Sequence, residues 1–446
     1  MKFSWRGSLK GLVTLIISAA IACPVFAQGD DLAGVVAEAL STNPDVAEAR
    51  NRWLARREEI REAEGGFLPS VDLNAGIGYE YTDSPSTRAG GGHSSEELDR
   101  QELGLNVRQM LFDGWGTRSE VERQRARTDS AAARLLAVGE STAMKAVTAY
   151  VDLQLYHELE GISTENLQIH LRIQDQIRLR AEAGVGSRAD SDQVESRVAL
   201  AESDLVAAQV NLIDARTTFK RVVGFAPSSV GYPPVVIAPG AMPESLKRAL
   251  EIAQENNPVL HTATADIEAA RAQHQAAKQF DYPRFDIELG GNINDDIDGT
   301  EGHSNDMSAM LRMRFNLFRG GSDAARKRAT AYNVREAVDI RDRSTRQLEE
   351  TLHLAWAAFE ATGAQLPLLE RQVKAATSTR NAYVKQFDIG QRTLLDLLNS
   401  EQEVLRARQS MVEARNDHLL AQFRVLEGMG ALVDHLGAAA ALAAKP

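Results

Sequence analysis

The sequence predicts a mainly α-helical chain that carries a piece of a transmembrane β-barrel, built on an internal two-fold repeat. Three observations predict it. First, the chain repeats itself: Asn43-Pro44 and Pro69 recur as Asn257-Pro258 and Pro283 at an offset of 214, and Leu111-Phe112-Asp113-Gly114 recurs as Leu317-Phe318-Arg319-Gly320 at an offset of 206. Gly186, Asp192, Phe219 and Gly224 recur as Gly390, Asp396, Phe423 and Gly428 at an offset of 204, so the second copy is slightly shorter. Second, each copy contains two runs of strict apolar/polar alternation. Third, each copy also contains two very long helical runs.

In chain order, the first 27 residues read as an export signal. Lys2, Arg6 and Lys10 give a basic start, Gly11 to Ala22 is apolar but short for a membrane span, and Val25-Phe26-Ala27 supplies a cleavage site after Ala27. Cys23, the single cysteine, falls in this segment, either as a lipid-anchor site after a loose lipobox or as a small residue in a discarded signal. With the signal removed, no disulfide is available, and the formal charge moves from −12 to −15. A net charge of that sign argues against nucleic acid as a partner, because a phosphate backbone needs a basic face. No later run of 18 apolar residues predicts a membrane helix.

The first repeat, 28–224, opens with a helix from Asp31 to Glu64, stopped by Gly65-Gly66 and Pro69. A strand at 71–81 follows, with Val71, Leu73, Ala75, Ile77, Tyr79 and Tyr81 on one face. After a polar stretch, Thr82 to Arg100, a second strand at 102–112 sets Leu103, Leu105, Val107, Gln109 and Leu111 against Glu102, Gly104, Asn106, Arg108 and Met110. Long helices follow at 114–183 and 188–223; the first, at 1.5 Å rise per residue, is about 100 Å long. The second carries a heptad seam, Val194, Val198, Ala201, Leu205, Ala208, Leu212, Ala215, Phe219 and Val222. Residues 225–244 are a Pro-, Gly- and Ser-rich linker. The second repeat, 245–428, has strands at 285–294 and 306–318 with a loop near 295–305, then helices at 320–387 and 391–427. Its seam, from Leu398 to Leu426, includes Gln402, Gln409 and Asn416, so the two copies are expected to pack differently. An Ala-rich tail, 429–446, is expected to fray at its end.

Four strands with one apolar face fit an outer-membrane barrel, yet cannot close one. An open sheet edge in lipid leaves backbone groups unpaired at several kcal/mol each, and single-chain bacterial barrels have about eight strands or more. Several chains must therefore share one barrel. The physics alone does not choose their number.

No catalytic pattern is present: no His-Glu-x-x-His, Gly-x-Ser-x-Gly or phosphate-loop Gly-x-x-x-x-Gly-Lys occurs. His93 and His303 fall in expected outer loops, and no cofactor or metal set is expected. The chain does not read as an enzyme.

The Asn-Pro helix starts, the helix–Pro–strand junctions, the strand–Phe-x-Gly–helix junctions and the run Phe387-Asp388-Ile389-Gly390-Gln391-Arg392-Thr393-Leu394-Leu395-Asp396-Leu397-Leu398 together resemble the TolC-like family of outer-membrane channels. The resemblance implies a homotrimer with a twelve-stranded barrel, four strands per chain, in the outer membrane of a Gram-negative bacterium. Beneath it a long α-helical barrel would cross the periplasm. It further implies docking to a periplasmic adaptor (membrane fusion) protein and an inner-membrane pump. That pump would be an ABC transporter for type I protein secretion, favoured by the tip run, or an RND pump for small-molecule efflux. A periplasmic coiled-coil scaffold without a pore is the remaining alternative.

By match to the family, Asp396 supplies an acidic ring at the pore constriction and Arg392 pairs with Asp192 of the first tip. The chain departs from the family at Asn399, often acidic, and at Phe387, where a tyrosine hydroxyl would join the closing links; a weaker cation site and a less firmly held gate are implied. Helix capping and first-turn placement are the competing roles for Asp192 and Asp396. Gly184, Gly186, Gly390 and Gln391 mark the tight tip turns that an adaptor would contact.

Overall fold

The computed structural model describes residues 31–89, 95–184, 187–227, 233–237 and 240–443. The export signal with Cys23, His93 and Gly186 lie outside the described residues.

The expected first helix is two helices, α1 (Leu32–Thr42) and α2 (Pro44–Gly65), and the second repeat copies the break as α6 (Leu246–Asn256) and α7 (Pro258–Ala276). Proline lacks an N–H and forces the residue before it out of the helical region, so Asn43 and Asn257 are extended (φ −67° each). Each asparagine then caps the following helix: Asp45 and Val259 N–H donate to the two Oδ1 atoms at 2.9 Å. Each amide Nδ2 also donates across the fold, Asn43 to the Val222 carbonyl at 3.3 Å and Asn257 to the Gly428 carbonyl at 3.0 Å. The short helices are thereby tied to the far ends of the long ones.

The strands are β1 (Ser70–Thr82), β2 (Glu96–Phe112), β3 (Arg284–Ile297) and β4 (Thr300–Arg314), with a short helix, α3 (Pro85–Ala89), between β1 and β2. They form one antiparallel sheet in the order β1-β2-β3-β4, so β2 and β3 join the repeats and β1 and β4 are its edges. Three boundaries depart from the sequence expectation. β2 begins at Glu96, inside the expected loop, because a ladder tolerates polar side chains: Glu97 and Asp99 pair with Tyr81 and Tyr79. The expected loop 295–305 contracts to a hairpin at Asp298-Gly299, both at positive φ (54° and 71°), as a tight primed turn requires. His303 therefore sits in β4, 3.1 Å from Asp295, and not in a loop. β4 ends at Arg314 although alternation runs to Leu317, because its partner begins at Arg284, after Pro283.

Register aligns the apolar positions into rows, such as Val71–Val107–Leu289–Ala309 and Leu73–Leu105–Gly291–Met307. This face is left uncovered; Ile77 is 86% exposed and Met307 91%. A bulge between Met110 and Phe112 turns Phe112 into the row of Phe285 and Met313. From Leu103 to Phe112 the face runs about 30 Å along β2, or about 23 Å once tilted as in a barrel, close to the apolar band of outer-membrane barrels. The opposite face is a charge lattice: Glu288 receives Arg312 at 2.6 Å and Arg314 at 2.5 Å, and fully buried Asp286 receives Arg284 at 3.0 Å and Arg314 at 3.2 Å.

Two helices of 67 residues, α4 (Gly116–Glu182) and α8 (Ser322–Asp388), descend from the sheet. They return as α5 (Arg188–Val223) and α9 (Leu394–Gly428). The lateral order is α5-α4-α9-α8. Sandwiched α9 buries two faces, whereas edge helix α5 buries its seam and exposes Leu200, Val206, Val210 and Ile213. The polar seam of the second copy thus belongs to the inner helix. No helix among the described residues is long and apolar enough to cross a membrane.

The main core gathers around Tyr150, Phe219, Phe423 and Leu352, where α1 and α6 pack on the long helices. The tail docks there as α10 (Leu432–His435) and α11 (Ala439–Ala443): Leu432 is fully buried, Leu442 seats on Gly139, and Arg50 donates to the Ala441 carbonyl at 3.2 Å. Leu432, Val433, Ala438 and Leu442 join the buried core there.

Candidate functional site at the helical tips

Both helix reversals lie at the same end and share one small core. Ile173 and Ile177 of α4, Val194 and Val198 of α5, Phe387 of α8, and Leu394, Leu397 and Leu398 of α9 are buried together. Phe387 is therefore a packing residue. Its ring also carries the Arg180 guanidinium at 4.4 Å, a cation–π contact between the two repeats.

The second turn is a Schellman closure. Gly390 N–H donates to the Phe387 carbonyl at 3.0 Å and Gln391 N–H to the Gln386 carbonyl at 2.8 Å. Gly390 (φ 77°) and Gly184 (φ 76°) occupy the same left-handed position, each two residues past its helix. The structural offset at the tips is therefore 206, not the 204 of the sequence alignment. It equates Gly184 with Gly390, Ser187 with Thr393 as helix caps, and Asp190 with Asp396 as first-turn acids. Asp192 lies beyond the first turn of α5 and is exposed, so it is neither a cap nor the counterpart of Asp396.

Arg392 does not reach Asp192. The Schellman reversal folds it back on its own helix: Nε donates to Gln386 Oε1 at 2.9 Å, the guanidinium lies 4.4 Å over the Tyr383 ring, and a terminal nitrogen is 3.8 Å from the Asp396 carboxylate. Asp396 in turn completes a capping box, its Oδ2 receiving the Thr393 N–H at 3.4 Å and the Thr393 hydroxyl at 2.9 Å, and its own N–H donating to Thr393 Oγ1 at 3.2 Å. Asn399 receives Arg197 of α5 at 3.4 Å. The acidic ring position is thus occupied by an amide that links the repeats.

Further up, polar ties cross between helices. Arg408 meets Glu165 of α4 at 2.7 Å, and Arg380 of α8 meets buried Glu401 of α9 at 3.5 Å. Burial pushes the Glu401 carboxyl above its ordinary range, against the pull of Arg380 and Arg172. Tyr383, Gln386, Arg180 and Arg197 escape a reading by residue type. The signal for the first two is Gly390: once it fixes the reversal, the last turns of α8 must face Arg392.

The arrangement holds no cluster of three or more metal-ligating side chains among the described residues. It offers charges and hydrogen bonds at the convergence of four helix ends, where separation of the helices would break them.

Comparisons with known proteins agree with this architecture. A family model described as outer membrane efflux protein matches residues 35–224 and 249–441. The chain is 24% identical over 444 residues to outer membrane efflux protein BepC of Brucella suis biovar 1, covering 98% of this chain and 94% of that protein. It is 22% identical over 395 residues to proteases secretion protein PrtF of Dickeya chrysanthemi, covering 85% and 83%. Among solved structures, the outer-membrane channel OprN superposes with a TM-score of 0.77 at 21% identity, covering 90% of each chain.

Proposed function

The chain belongs to the outer membrane efflux protein family, and from that premise we propose that it is the passive exit duct of a type I protein secretion machine. It works as a homotrimer. A periplasmic adaptor and an inner-membrane ABC transporter supply direction and energy, and the chain itself catalyses nothing.

The observation that carries the duct is the sheet. Its apolar rows lie uncovered on one face, its charged lattice lies on the other, and its edges β1 and β4 lack partners within the chain. Lipid forbids such edges, so sister chains seal them. Three copies make twelve strands, and α5 of one copy lies beside α8 of the next. The tips then ring the periplasmic mouth: Arg392 and Asp396 face the constriction, and the Gly184 and Gly390 turns are where the adaptor grips.

Protein cargo is supported by the tip run Phe387–Leu398 and by the likeness to a relative named for protease secretion. The likeness to a relative named an efflux protein, over nearly the whole chain, favours the second reading, small-molecule efflux. Deleting the gene separates them. Loss of a secreted protein with unchanged drug tolerance supports protein secretion; drug sensitivity with an unchanged secretome overturns it in favour of efflux.

A further inference from the structure

We propose that the turn at Trp115, with Arg118 and Lys278, binds the anionic phosphodiester headgroup of a phospholipid in the periplasmic leaflet. The proposal rests on the membrane placement of the sheet and is independent of the cargo.

The first observation is backbone strain with an internal control. Trp115 is left-handed (φ 64°), an outlier for a bulky residue. The equivalent residue of the second repeat, 206 positions on, is Gly321 (φ 81°), the residue that such a turn ordinarily takes. The first repeat keeps tryptophan against that preference, and half of its surface is exposed. Its neighbour Gly114 (φ 70°) admits no side chain, since a Cβ would stand 2.5 Å from the Gln279 carbonyl, so the turn lies close against the Gln279 backbone. Strain held by its surroundings points to a role beyond the turn.

The second observation is where the indole is held. Trp115 packs edge-on against Phe112 at 5.1 Å and Tyr282 at 4.9 Å. Phe112 ends the apolar face of the sheet, so this trio sits at its lower margin, where amphipathic rings favour the headgroup layer.

The third is a notch of about 290 Å³ on the water side of the trio, walled by Trp115, Tyr282, Arg118, Ser119, Glu122 and Lys278. Glu122 takes the Nε of Arg118 at 3.1 Å, which leaves the terminal guanidinium nitrogens for a second anion. Lys278 gives one hydrogen bond to Gln275 Oε1 at 3.1 Å and has two more N–H groups. The notch is thus net cationic with an aromatic wall toward lipid, a combination that suits a phosphodiester attached to acyl chains better than free phosphate. It lies at the β2–β3 centre of the sheet, between α4 and α7, away from the edges where another copy pairs.

The test is tryptophan quenching in vesicles that hold the full-length chain. Phosphatidylcholine vesicles carry, at equal mole fraction, brominated phosphatidylglycerol or brominated phosphatidylcholine, and the W115F variant isolates the Trp115 signal. Brominated phosphatidylglycerol should associate with Trp115 roughly fivefold more strongly. The R118Q/K278Q double variant should insert normally and lose that preference. Equal quenching by the two lipids, or a preference that survives in the double variant, overturns the proposal. So does its abolition by excess inorganic phosphate at matched ionic strength, which would make the site a phosphate site. Quenching by neither lipid would remove the membrane placement itself.

Discussion

Thr393 and Asp396 hold each other across the first turn of α9, hydroxyl to carboxylate at 2.9 Å and amide to hydroxyl at 3.2 Å. The pair separates two roles that a single mutation confuses. Thr393→Ala and Asp396→Ala should each lower thermal stability by roughly 0.5–2 kcal/mol, as lost caps do. Only Asp396→Ala also removes a charge, one that the proposed trimer would set at the constriction. In planar bilayers under a salt gradient, its reversal potential should shift toward weaker cation preference while Thr393→Ala stays at the native value. Equal selectivity in both variants would leave Asp396 a cap and nothing more.

Arg392 over Tyr383 predicts a second separation. The contact uses the ring face, at 4.4 Å, so the hydroxyl is dispensable. Tyr383→Phe should keep the native resting conductance. Tyr383→Ala and Arg392→Ala should both raise it, because each frees the reversal from the end of α8. A lysine at 392 should behave more like alanine than like arginine, since it cannot both stack and donate in plane. Conductance indifferent to Tyr383→Ala would mean that this contact does not restrict the tips.

The tips also mark how far the sequence could be read. Periodicity exposed the long helices and both strands of each repeat, because burial of one face dictates the pattern. The hairpin at Asp298-Gly299 was written in its dipeptide but masked by polar neighbours. Asp192 was matched to Asp396 by spacing counted through a turn of unknown shape. The equivalence is set instead by where Gly184 and Gly390 take positive φ, and that is a backbone property. Phe387 looked like a gate residue short of a hydroxyl, whereas it is core. Partners of Arg392 were illegible, because a flexible side chain chooses among neighbours that only the reversal brings together.

Glu427 gives the fold a pH dependence. Burial pushes its carboxyl from 4.5 up to about 7, opposed by Arg424. Glu140 is likewise raised to about 7 by burial, though it receives Leu432 and Val433 N–H at 3.1 and 3.2 Å, and the charges of Asp434 and Glu427 add to the rise. A raised acid means that the folded chain holds a proton the unfolded chain has lost. Stability contributed by these groups is full below the unfolded value, falls as pH rises through the interval, and reaches its floor above about 7. Glu427→Gln should therefore match the native melting temperature near pH 4.5. Above pH 7 it should be more stable than the native chain by an amount on the order of 1–3 kcal/mol, and melt at a correspondingly higher temperature. A constant offset across that range would mean that Glu427 is ionised throughout.

Val107 and Asn106 are neighbours in β2 whose side chains leave the sheet on opposite faces. Val107 sits between Val71 and Leu289 near the middle of the apolar rows; Asn106 sits between Asp72 and Gly290 on the charged face. Arginine at 107 would face lipid at mid-depth, at roughly 2–4 kcal/mol per chain, and a trimer multiplies that penalty. Arginine at 106 would meet the Asp72 carboxylate across the strand pair and find water. Val107→Arg should therefore abolish heat-modifiable trimers and leave the chain in inclusion bodies or the periplasm. Asn106→Arg should assemble at native yield and lower cation conductance. The reverse outcome would turn the sheet inside out and place the charge lattice against lipid, where its ion pairs could not be sustained.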